Sequence, residues 1–283
     1  MTAASAARVL IDEPGPRVMR LRIDRPDKRN AIDFDVREQL WAALAAIVAA
    51  PGRCRAIVIG GTGEHFSAGG DLPSMVGLAE ADARARMRHI ARLCRLIHEI
   101  ELPVVTAMQG FSAGACVGLA LLGDHIVVGP STRILFPFMR LGLVPDWGML
   151  YTLPQRVGLP AARRLLTSRD PVSGARAVEF GLADELAEDG EVMTAAVHRA
   201  ALLADLPAAA FARMKRRLKR PSRSLDEEFE REENDQSALL LGEDFREGHA
   251  AFSAKREPDF VREQAPRGEA LRGEGPGAEA PRR

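Results

Sequence analysis

Residues 56–72 read AIVIGGTGEHFSAGGDL and join a short apolar run to a glycine-rich loop. An apolar run of this length, closed by glycine, is typical of a buried β-strand that enters a loop. Small residues in the loop let a ligand approach the backbone and leave N–H groups free to donate hydrogen bonds. Residues 103–116, PVVTAMQGFSAGAC, repeat the combination. Two such loops side by side could direct two N–H donors at one oxygen atom and so form an oxyanion hole.

The glycines of these loops have two other interpretations. Strand-to-helix turns are often glycine-rich because of packing alone, and this interpretation stays open for either loop taken by itself. A nucleotide site would favour a G-x-G-x-x-G pattern at the first strand or a G-x-x-x-x-G-K-[ST] phosphate loop, and neither loop has that spacing. Nucleotide binding is therefore disfavoured.

The chain around the two loops alternates strand and helix patterns. Apolar residues at every second position in residues 9–23, interrupted by Pro14-Gly15-Pro16, predict a β-hairpin. Helical spacing and short apolar runs predict further elements, which are helices near 36–48, 87–100 and 115–122, a loop at 110–114, and strands at 126–128 and 134–136. This alternation predicts an α/β sheet with right-handed crossovers.

From about residue 147 the strand signals fade and short helical patterns follow one another. We therefore predict an α/β core over residues 1–204 and a helical C-terminal region over residues 205–262. Ser224 and Glu227 have the spacing of a capping box at the start of a late helix. Residues 263–283 contain almost no large apolar side chain, so we predict a disordered tail.

The composition excludes several classes of protein. Lysine plus arginine and aspartate plus glutamate both number 39, so the net charge gives no indication of nucleic acid or an acidic membrane surface as a partner. No apolar run approaches the ~20 residues of a membrane span. The three cysteines match neither a disulfide framework nor a metal knuckle, and the six histidines lack the spacing of metal ligands. We expect a soluble cytoplasmic protein without a metal site.

Five segments, taken in chain order, resemble the motifs of the crotonase (enoyl-CoA hydratase/isomerase) superfamily. They are residues 25–31 (RPDKRNA), 65–72 (HFSAGGDL), 110–115 (GFSAGA), 141–148 (LGLVPDWG) and 247–256 (EGHAAFSAKR). The resemblance covers roughly residues 8–260 and implies a ββα spiral core with a helical C-terminal region that serves trimerisation or forms a lid. It also implies an acyl-CoA substrate, no cofactor apart from the coenzyme A of that substrate, and a homotrimer or hexamer.

The resemblance also assigns binding roles to single residues. It makes the backbone N–H groups of Gly70 and Ala115 the oxyanion donors. Residues near the CoA nucleotide and pantetheine would be Lys28, Arg29, Ala68, Asp71 and Leu72. Phe252 and Lys255 would reach the CoA end, in this family often from a neighbouring subunit. Basic side chains suit the CoA phosphates, although plain surface charge explains Lys28 and Arg29 as well.

The reaction depends on where carboxylates stand. By the resemblance, a hydratase holds its water with two glutamates, and the matching positions here are Gly118 and Phe138, which cannot transfer a proton. Asp146 lies on the turn where isomerase branches of the family often carry an acidic residue, including the ring-opening isomerases of phenylacetyl-CoA breakdown. One carboxylate suffices to move a double bond, because it can remove the α proton and return it to the γ carbon. We therefore expect an acyl-CoA isomerase with Asp146 as its acid/base.

Several alternatives stay open at this point. Pro-Asp-x-Gly is a common turn sequence, so Asp146 could simply bond its own backbone. A hydratase-like enzyme could use Asp146 or Asp71 for water addition, and a non-catalytic acyl-CoA-binding protein could have kept the loops and lost the glutamates. For Cys116, which follows the second loop, we expect a packed helix cysteine, because no motif ties a histidine to it.

Overall fold

The computed structural model describes residues 8–261, and the predicted disordered tail lies outside these residues. The strands are β1 Val9–Gly15, β2 Val18–Ile23, β3 Ala56–Gly61, β4 Val104–Met108, β5 Phe111–Ala113, β6 His125–Val128, β7 Arg133–Leu135, β8 Val172–Ser173 and β9 Glu185–Leu186. The helices are α1 Phe34–Ala49, α2 Glu80–Glu99, α3 Ala115–Leu121, α4 Met149–Val157, α5 Leu159–Thr167, α6 Gly174–Glu179, α7 Val192–Ala204, α8 Ala208–Lys219, α9 Leu225–Leu240 and α10 Glu243–Ala254.

The main sheet has the strand order β1-β2-β3-β4-β6-β9. Strands β1 and β2 form the predicted antiparallel hairpin, with Val9 opposite Ile23, and every later neighbour in this sheet is parallel. A smaller sheet of order β5-β7-β8 lies beside it. The alternating strand and helix pattern thus folds as predicted, into an α/β architecture.

Side chains of the main sheet alternate between two buried layers because successive residues of a strand point to opposite faces. Ile57 and Ile59 of β3 belong to the larger core, under α1, α2 and α3. Ala56 and Val58 point the other way and pack against α7. That helix presents a stripe of small residues to the sheet, which lets it approach closely.

One prediction about local structure was wrong, and two short strands were not predicted. Residues 110–114 were expected to form a loop, but Phe111–Ala113 is a strand, β5, which pairs in parallel with β7. The strands β8 and β9 were not predicted, because elements of two residues are too short to show a period.

The C-terminal helices begin where the sequence indicates. Ser224 caps α9, and its hydroxyl accepts a hydrogen bond from the Glu227 N–H at 3.1 Å. The Glu227 carboxylate accepts from the Arg223 N–H at 2.8 Å instead of the Ser224 N–H that a capping box would use. Between residues 8 and 261 no single helix has the length and apolarity to cross a membrane, and α7 with α8 reaches that level only as a pair bent by 110°.

Candidate active site

Asn30 fixes the entry of the first glycine-rich loop. It is fully buried and adopts a left-handed conformation with φ of 57°. Its side-chain amide donates to the carbonyl oxygens of Thr62 and His65 at 2.9 and 2.8 Å, and its side-chain oxygen accepts from the Arg25 N–H. The segment around residue 30 therefore acts as a clamp that holds the loop after β3.

The two glycine-rich loops lie directly against each other. The Ala113 N–H donates to the Ser67 carbonyl at 3.0 Å, and the Ser67 hydroxyl bridges the Asn30 carbonyl and the Gly69 N–H. Gly69 has φ of 89°, and a Cβ atom there would overlap the Ala113 carbonyl oxygen and stand 3.3 Å from the Ala115 nitrogen. Only glycine allows this contact between the loops.

The N–H groups of Gly70 and Ala115 are available as donors. Gly70 lies opposite Ile32 in a β-bridge whose hydrogen bonds are made by its neighbours, because Ile32 N–H donates to the Gly69 carbonyl and Asp71 N–H donates to the Ile32 carbonyl. Ala115 is the first residue of α3, so its N–H has no acceptor within the helix. Within residues 8–261 neither N–H finds an acceptor. Both residues line one cavity of about 850 Å³, together with Asp146.

Asp146 is half-buried in the turn between Pro137–Leu141 and α4. Burial raises the pKa of its carboxyl group, while its own backbone N–H, Arg86 and Arg37 act in the opposite direction. In the described part of the chain its buried Oδ1 atom has no hydrogen-bond partner. A partly buried carboxyl group with a raised pKa beside a cavity is a candidate general acid/base.

Gly118 and Phe138 stand at the positions that, by the resemblance, carry the two glutamates of a hydratase, and neither offers a carboxylate. A Cβ atom on Gly118 would lie 2.5 Å from Cβ of Trp147, so no side chain fits there unless the turn that carries Asp146 moves. Phe138 is buried and lines the cavity, and its ring lies 3.8 Å from the point where a Cβ of Gly114 would be.

Two arginines of the cavity were missed by the sequence analysis. Arg37 of α1 is only 2% exposed, and Arg86 of α2 is half-buried. Both line the cavity with Asp146. In the sequence, Arg37 follows the apolar Val36, and Arg86 precedes the apolar Met87. An arginine next to the apolar face of a helix normally extends along the surface into water. No signal in a single sequence distinguishes that case from a buried one.

The residues that the resemblance assigns to CoA binding fall into four groups. Ala68 and Leu72 line the cavity, and Lys28 and Arg29 are exposed, with the Arg29 carbonyl accepting from the Ala68 N–H at 2.7 Å. Asp71 is 8% exposed and faces the Arg25 guanidinium at 3.5 Å, which favours a loop-stabilising role for its carboxylate.

The last group lies on α10 and its C-cap. Phe252 is 85% exposed, and Lys255 caps the helix in a left-handed conformation. Neither residue lines the cavity within one chain.

Cys116 and the histidines give no sign of nucleophilic or metal chemistry. The Cys116 thiol donates to the carbonyl oxygens of Ser67 and Ala113, and complete burial raises its pKa to about 12. A thiol with this pKa stays protonated at neutral pH and is a packed helix cysteine, as expected. Among residues 8–261 no three His, Cys, Asp or Glu side chains are grouped so that they could hold a metal ion.

Comparison with known proteins covers nearly the whole described chain. A sequence model of the family described as enoyl-CoA hydratase/isomerase matches residues 14–263. A probable enoyl-CoA hydratase from Rhodobacter capsulatus is 35% identical over 247 residues, which are 85% of this chain and 93% of that protein. The 1,2-epoxyphenylacetyl-CoA isomerase of Escherichia coli is 30% identical over 249 residues, with 86% and 95% covered.

A solved structure extends the comparison to three dimensions. The crystal structure of a candidate enoyl-CoA hydratase from Streptomyces coelicolor superposes with a TM-score of 0.84 at 35% identity and covers 92% of this chain and 96% of that one. Residues 14–263, which match the family model, include both glycine-rich loops and the turn that carries Asp146.

Proposed function

The chain belongs to the enoyl-CoA hydratase/isomerase family, and on that premise we propose that it is an acyl-CoA double-bond isomerase with Asp146 as its acid/base. The substrate is a β,γ-unsaturated acyl-CoA or a related thioester that opens a ring by the same proton shift. The observation that carries the proposal is the single cavity shared by Gly70, Ala115 and Asp146. No cofactor is needed beyond the coenzyme A that the substrate brings.

The two free N–H groups hold the thioester oxygen in this proposal. When a proton leaves the α carbon, negative charge moves onto that oxygen, and the Gly70 and Ala115 amides stabilise it. Each donor of such a pair typically contributes ~3 kcal/mol to the transition state. Because the loops are fixed to each other through Ser67 and Gly69, the donors need no reorganisation during the reaction.

The Asp146 carboxylate moves the proton. It takes the proton from the α carbon, the electron pair of that C–H bond enters the enolate, and the β,γ double bond shifts to the α,β position. The same carboxyl group then returns the proton to the γ carbon, so no atom is gained or lost. Burial favours the protonated form of Asp146 and thereby helps it to hold the proton between the two steps.

Gly118 and Phe138 favour isomerisation over hydration. Water addition requires groups that orient a water molecule and deliver a proton, and the two positions that match the hydratase glutamates offer neither. A glutamate at 118 has no space beside Trp147. The 1,2-epoxyphenylacetyl-CoA isomerase among the relatives gives the proposal further support.

CoA binding and assembly follow from the same premise. We propose that Lys28, Arg29, Ala68 and Leu72 border the nucleotide and pantetheine, and that Phe252 and Lys255 complete this site from a neighbouring subunit. The chain would then form a homotrimer or hexamer. Sedimentation equilibrium of the purified protein measures this directly, and a strict monomer would contradict it.

The activity test follows hex-3-enoyl-CoA as it becomes hex-2-enoyl-CoA, by the ultraviolet absorbance of the conjugated thioester. Asp146→Asn should lower kcat by roughly a hundredfold or more, the scale of a lost general base. The matched control is Asp170→Asn, since Asp170 is an exposed aspartate outside the cavity. Binding of hexanoyl-CoA, measured by calorimetry, separates lost chemistry from lost affinity.

The other outcomes favour other functions. A wild-type protein that converts hex-2-enoyl-CoA to the 3-hydroxyacyl-CoA faster than it isomerises hex-3-enoyl-CoA is a hydratase, as the Rhodobacter relative is described. Tight binding of hexanoyl-CoA without any turnover favours a non-catalytic acyl-CoA-binding protein. Full turnover by the Asp146→Asn variant would place the base elsewhere and refute the assignment.

A further inference from the structure

The acyl cavity is lined by the exposed Arg140 and by two more deeply placed cationic side chains that the proposed proton transfer does not use. Arg37 and Arg86 reach it from neighbouring helices, α1 and α2. Most other lining side chains are apolar, among them Met75, Leu78, Met87, Leu143 and Trp147. A cavity for a plain hydrocarbon chain has no use for two guanidinium groups, because burying them costs free energy.

Arg37 is held in place by a neutral partner. Its Nε–H donates to Nδ1 of His89 at 3.1 Å, and His89 Nε2 lies 2.7 Å from Glu38. If Nδ1 accepts, the ring proton is on Nε2 and goes to Glu38, so the imidazole is neutral. Nη1 of Arg37 is buried and, within the described residues, has no hydrogen-bond partner. The guanidinium is thus held through its Nε atom, while its Nη1 atom lacks a hydrogen-bond partner among the described residues.

No carboxylate of the described chain forms an ion pair with either arginine. Besides Asp146, the carboxylates that act electrostatically on these arginines are Asp33 and Asp71, and both pair with Arg25, at 3.0 and 3.5 Å. Arg86 contacts the Ser74 hydroxyl at 3.3 Å. Burial lowers the pKa of Arg37 to about 10, so Arg37 remains charged at neutral pH, and burial also lowers the pKa of Arg86.

We propose that the acyl group of the substrate carries a second carboxylate, which Arg37 and Arg86 bind. The substrate is then the CoA monothioester of a dicarboxylic acid, and this inference rests on the proposed function of the cavity. An arginine fork matches a carboxylate, and charge-assisted hydrogen bonds are strong in a site shielded from water. The diacid is short, because Nη2 of Arg86 lies 3.7 Å from the point where a Cβ of Gly70 would stand.

One other role would explain the same geometry. The arginines could act only on Asp146, by favouring its ionised form across the cavity. In that case their loss would affect every acyl group equally. A carboxylate-binding role affects the diacid thioester alone, so the two roles differ in a measurable way.

The test uses saturated thioesters, which bind without reacting. Affinities of hexanedioyl-CoA and hexanoyl-CoA are measured by calorimetry for the wild type and for Arg86→Met. The wild type should prefer the diacid by roughly tenfold to a hundredfold, the scale of hydrogen bonds to charged groups. Arg86→Met should lose most of this preference with little change for hexanoyl-CoA.

Arg88→Met is the matched control, because Arg88 is exposed on the same helix and does not line the cavity. It should keep the preference. Arg86→Gln is a second variant in case the first fails to fold, as checked by circular dichroism. Equal wild-type affinities, or an equal loss for both thioesters, would overturn the inference. Because no turnover is involved, failure here is distinct from failure of isomerisation, which only the hex-3-enoyl-CoA assay measures.

Discussion

At the scale of single residues, the proposed acid/base Asp146 lowers the stability of the folded protein at neutral pH. Its carboxyl group is half-buried, its Oδ1 atom has no partner in the described chain, and burial raises its pKa. The native state therefore binds its proton more tightly than the unfolded chain does. As the pH rises through the raised folded-state pKa, the carboxylate ionises in an unfavourable site and the free energy of unfolding falls.

Asp146→Asn should therefore stabilise the protein at neutral pH. We expect a gain on the order of 1 kcal/mol, because asparagine is neutral and removes the cost of ionising a carboxyl group in this site. The gain should shrink as the pH falls and vanish below the ordinary aspartate value of 3.8, where Asp146 is protonated in both states. Urea unfolding of both proteins from pH 7 to pH 3.5 measures the difference, and a variant that is less stable than wild type at pH 7 would contradict this account.

At the scale of elements, α3 and the Asp146 turn form one packed unit. All seven residues of Ala115–Leu121 are buried, and the backbone of Gly118 lies against Trp147. Trp147 has φ of 54°, a conformation that non-glycine residues adopt only when their surroundings enforce it. The helix that begins with Ala115, the proposed oxyanion donor, thus also positions the turn that carries Asp146.

Gly118→Ala should destabilise the protein although alanine favours helix. Its Cβ would stand 2.5 Å from Cβ of Trp147. Overpacking of this kind costs ~1–3 kcal/mol, and the gain in helix propensity offsets at most about 1 kcal/mol. The proposed isomerase activity should fall as well, because the Asp146 turn must shift. Thermal unfolding and the hex-3-enoyl-CoA assay report the two effects.

Gly248→Ala in α10 is the control for that substitution. Its Cβ would meet nothing closer than Phe260 at 3.8 Å, an ordinary contact. Alanine there should stabilise the protein by ~0.5–1 kcal/mol. If Gly118→Ala raised the stability as much as Gly248→Ala, the close packing of α3 on the turn would be disproved.

The elements themselves were largely predictable, and the reasons for the exceptions are physical. Apolar residues at regular spacing identify the hairpin, α1 and α2, and continuous apolar runs identify β3 and β4. Helix α9 carries its cap signal at Ser224. Strand β5 was missed because glycine and serine dominate its surroundings, while its pairing with β7 is set by tertiary contacts.

The candidate site was predictable only where backbone chemistry or a motif defines it. Gly70, Ala115 and Asp146 were singled out from the sequence and line one cavity, although their catalytic roles stay predictions. Arg37 and Arg86 could not be found in this way. Whether an arginine beside an apolar stripe faces water or a cavity depends on how far away the neighbouring helix lies. A single sequence does not contain the distance between two helices.

At the scale of the whole molecule, buried lysines of α8 join the C-terminal helices to the α/β core. Lys215 is 4% exposed, and its ammonium group donates to the Leu102 carbonyl and to the Asp124 carboxylate, at 2.7 and 2.6 Å. The same Asp124 oxygen accepts the Val104 N–H at the start of β4. Lys219, one turn later, donates to the carbonyls of His98 and Leu122. The division at residues 204 and 205 stays a prediction, and these contacts indicate strong coupling across it.

Lys215→Met should therefore weaken the molecule as a whole. The substitution removes the closer of the two lysines that face the Asp124 carboxylate and leaves Lys219 at 3.8 Å, so we expect a cost of up to ~3–5 kcal/mol, the scale of a broken buried pair. Arg216→Met is the matched control, because the next residue along the helix pairs with Glu101 at 3.5 Å between two largely exposed side chains. Exposed pairs contribute less than ~1 kcal/mol, so this variant should remain close to wild type.

Urea unfolding, followed by circular dichroism and by tryptophan fluorescence, tests whether Lys215 or the apolar contacts of α8 couple the C-terminal helices to the core. Both tryptophans, Trp41 and Trp147, lie in the α/β core, while much of the helical signal comes from α8, α9 and α10. A single coincident transition in the wild type means that core and C-terminal helices unfold together. If Lys215 provides that coupling, Lys215→Met should lower the midpoint and let the circular dichroism transition precede the fluorescence transition. Coincident transitions with an unchanged midpoint would show that the apolar contacts of α8, and not its buried lysine, hold the two parts together.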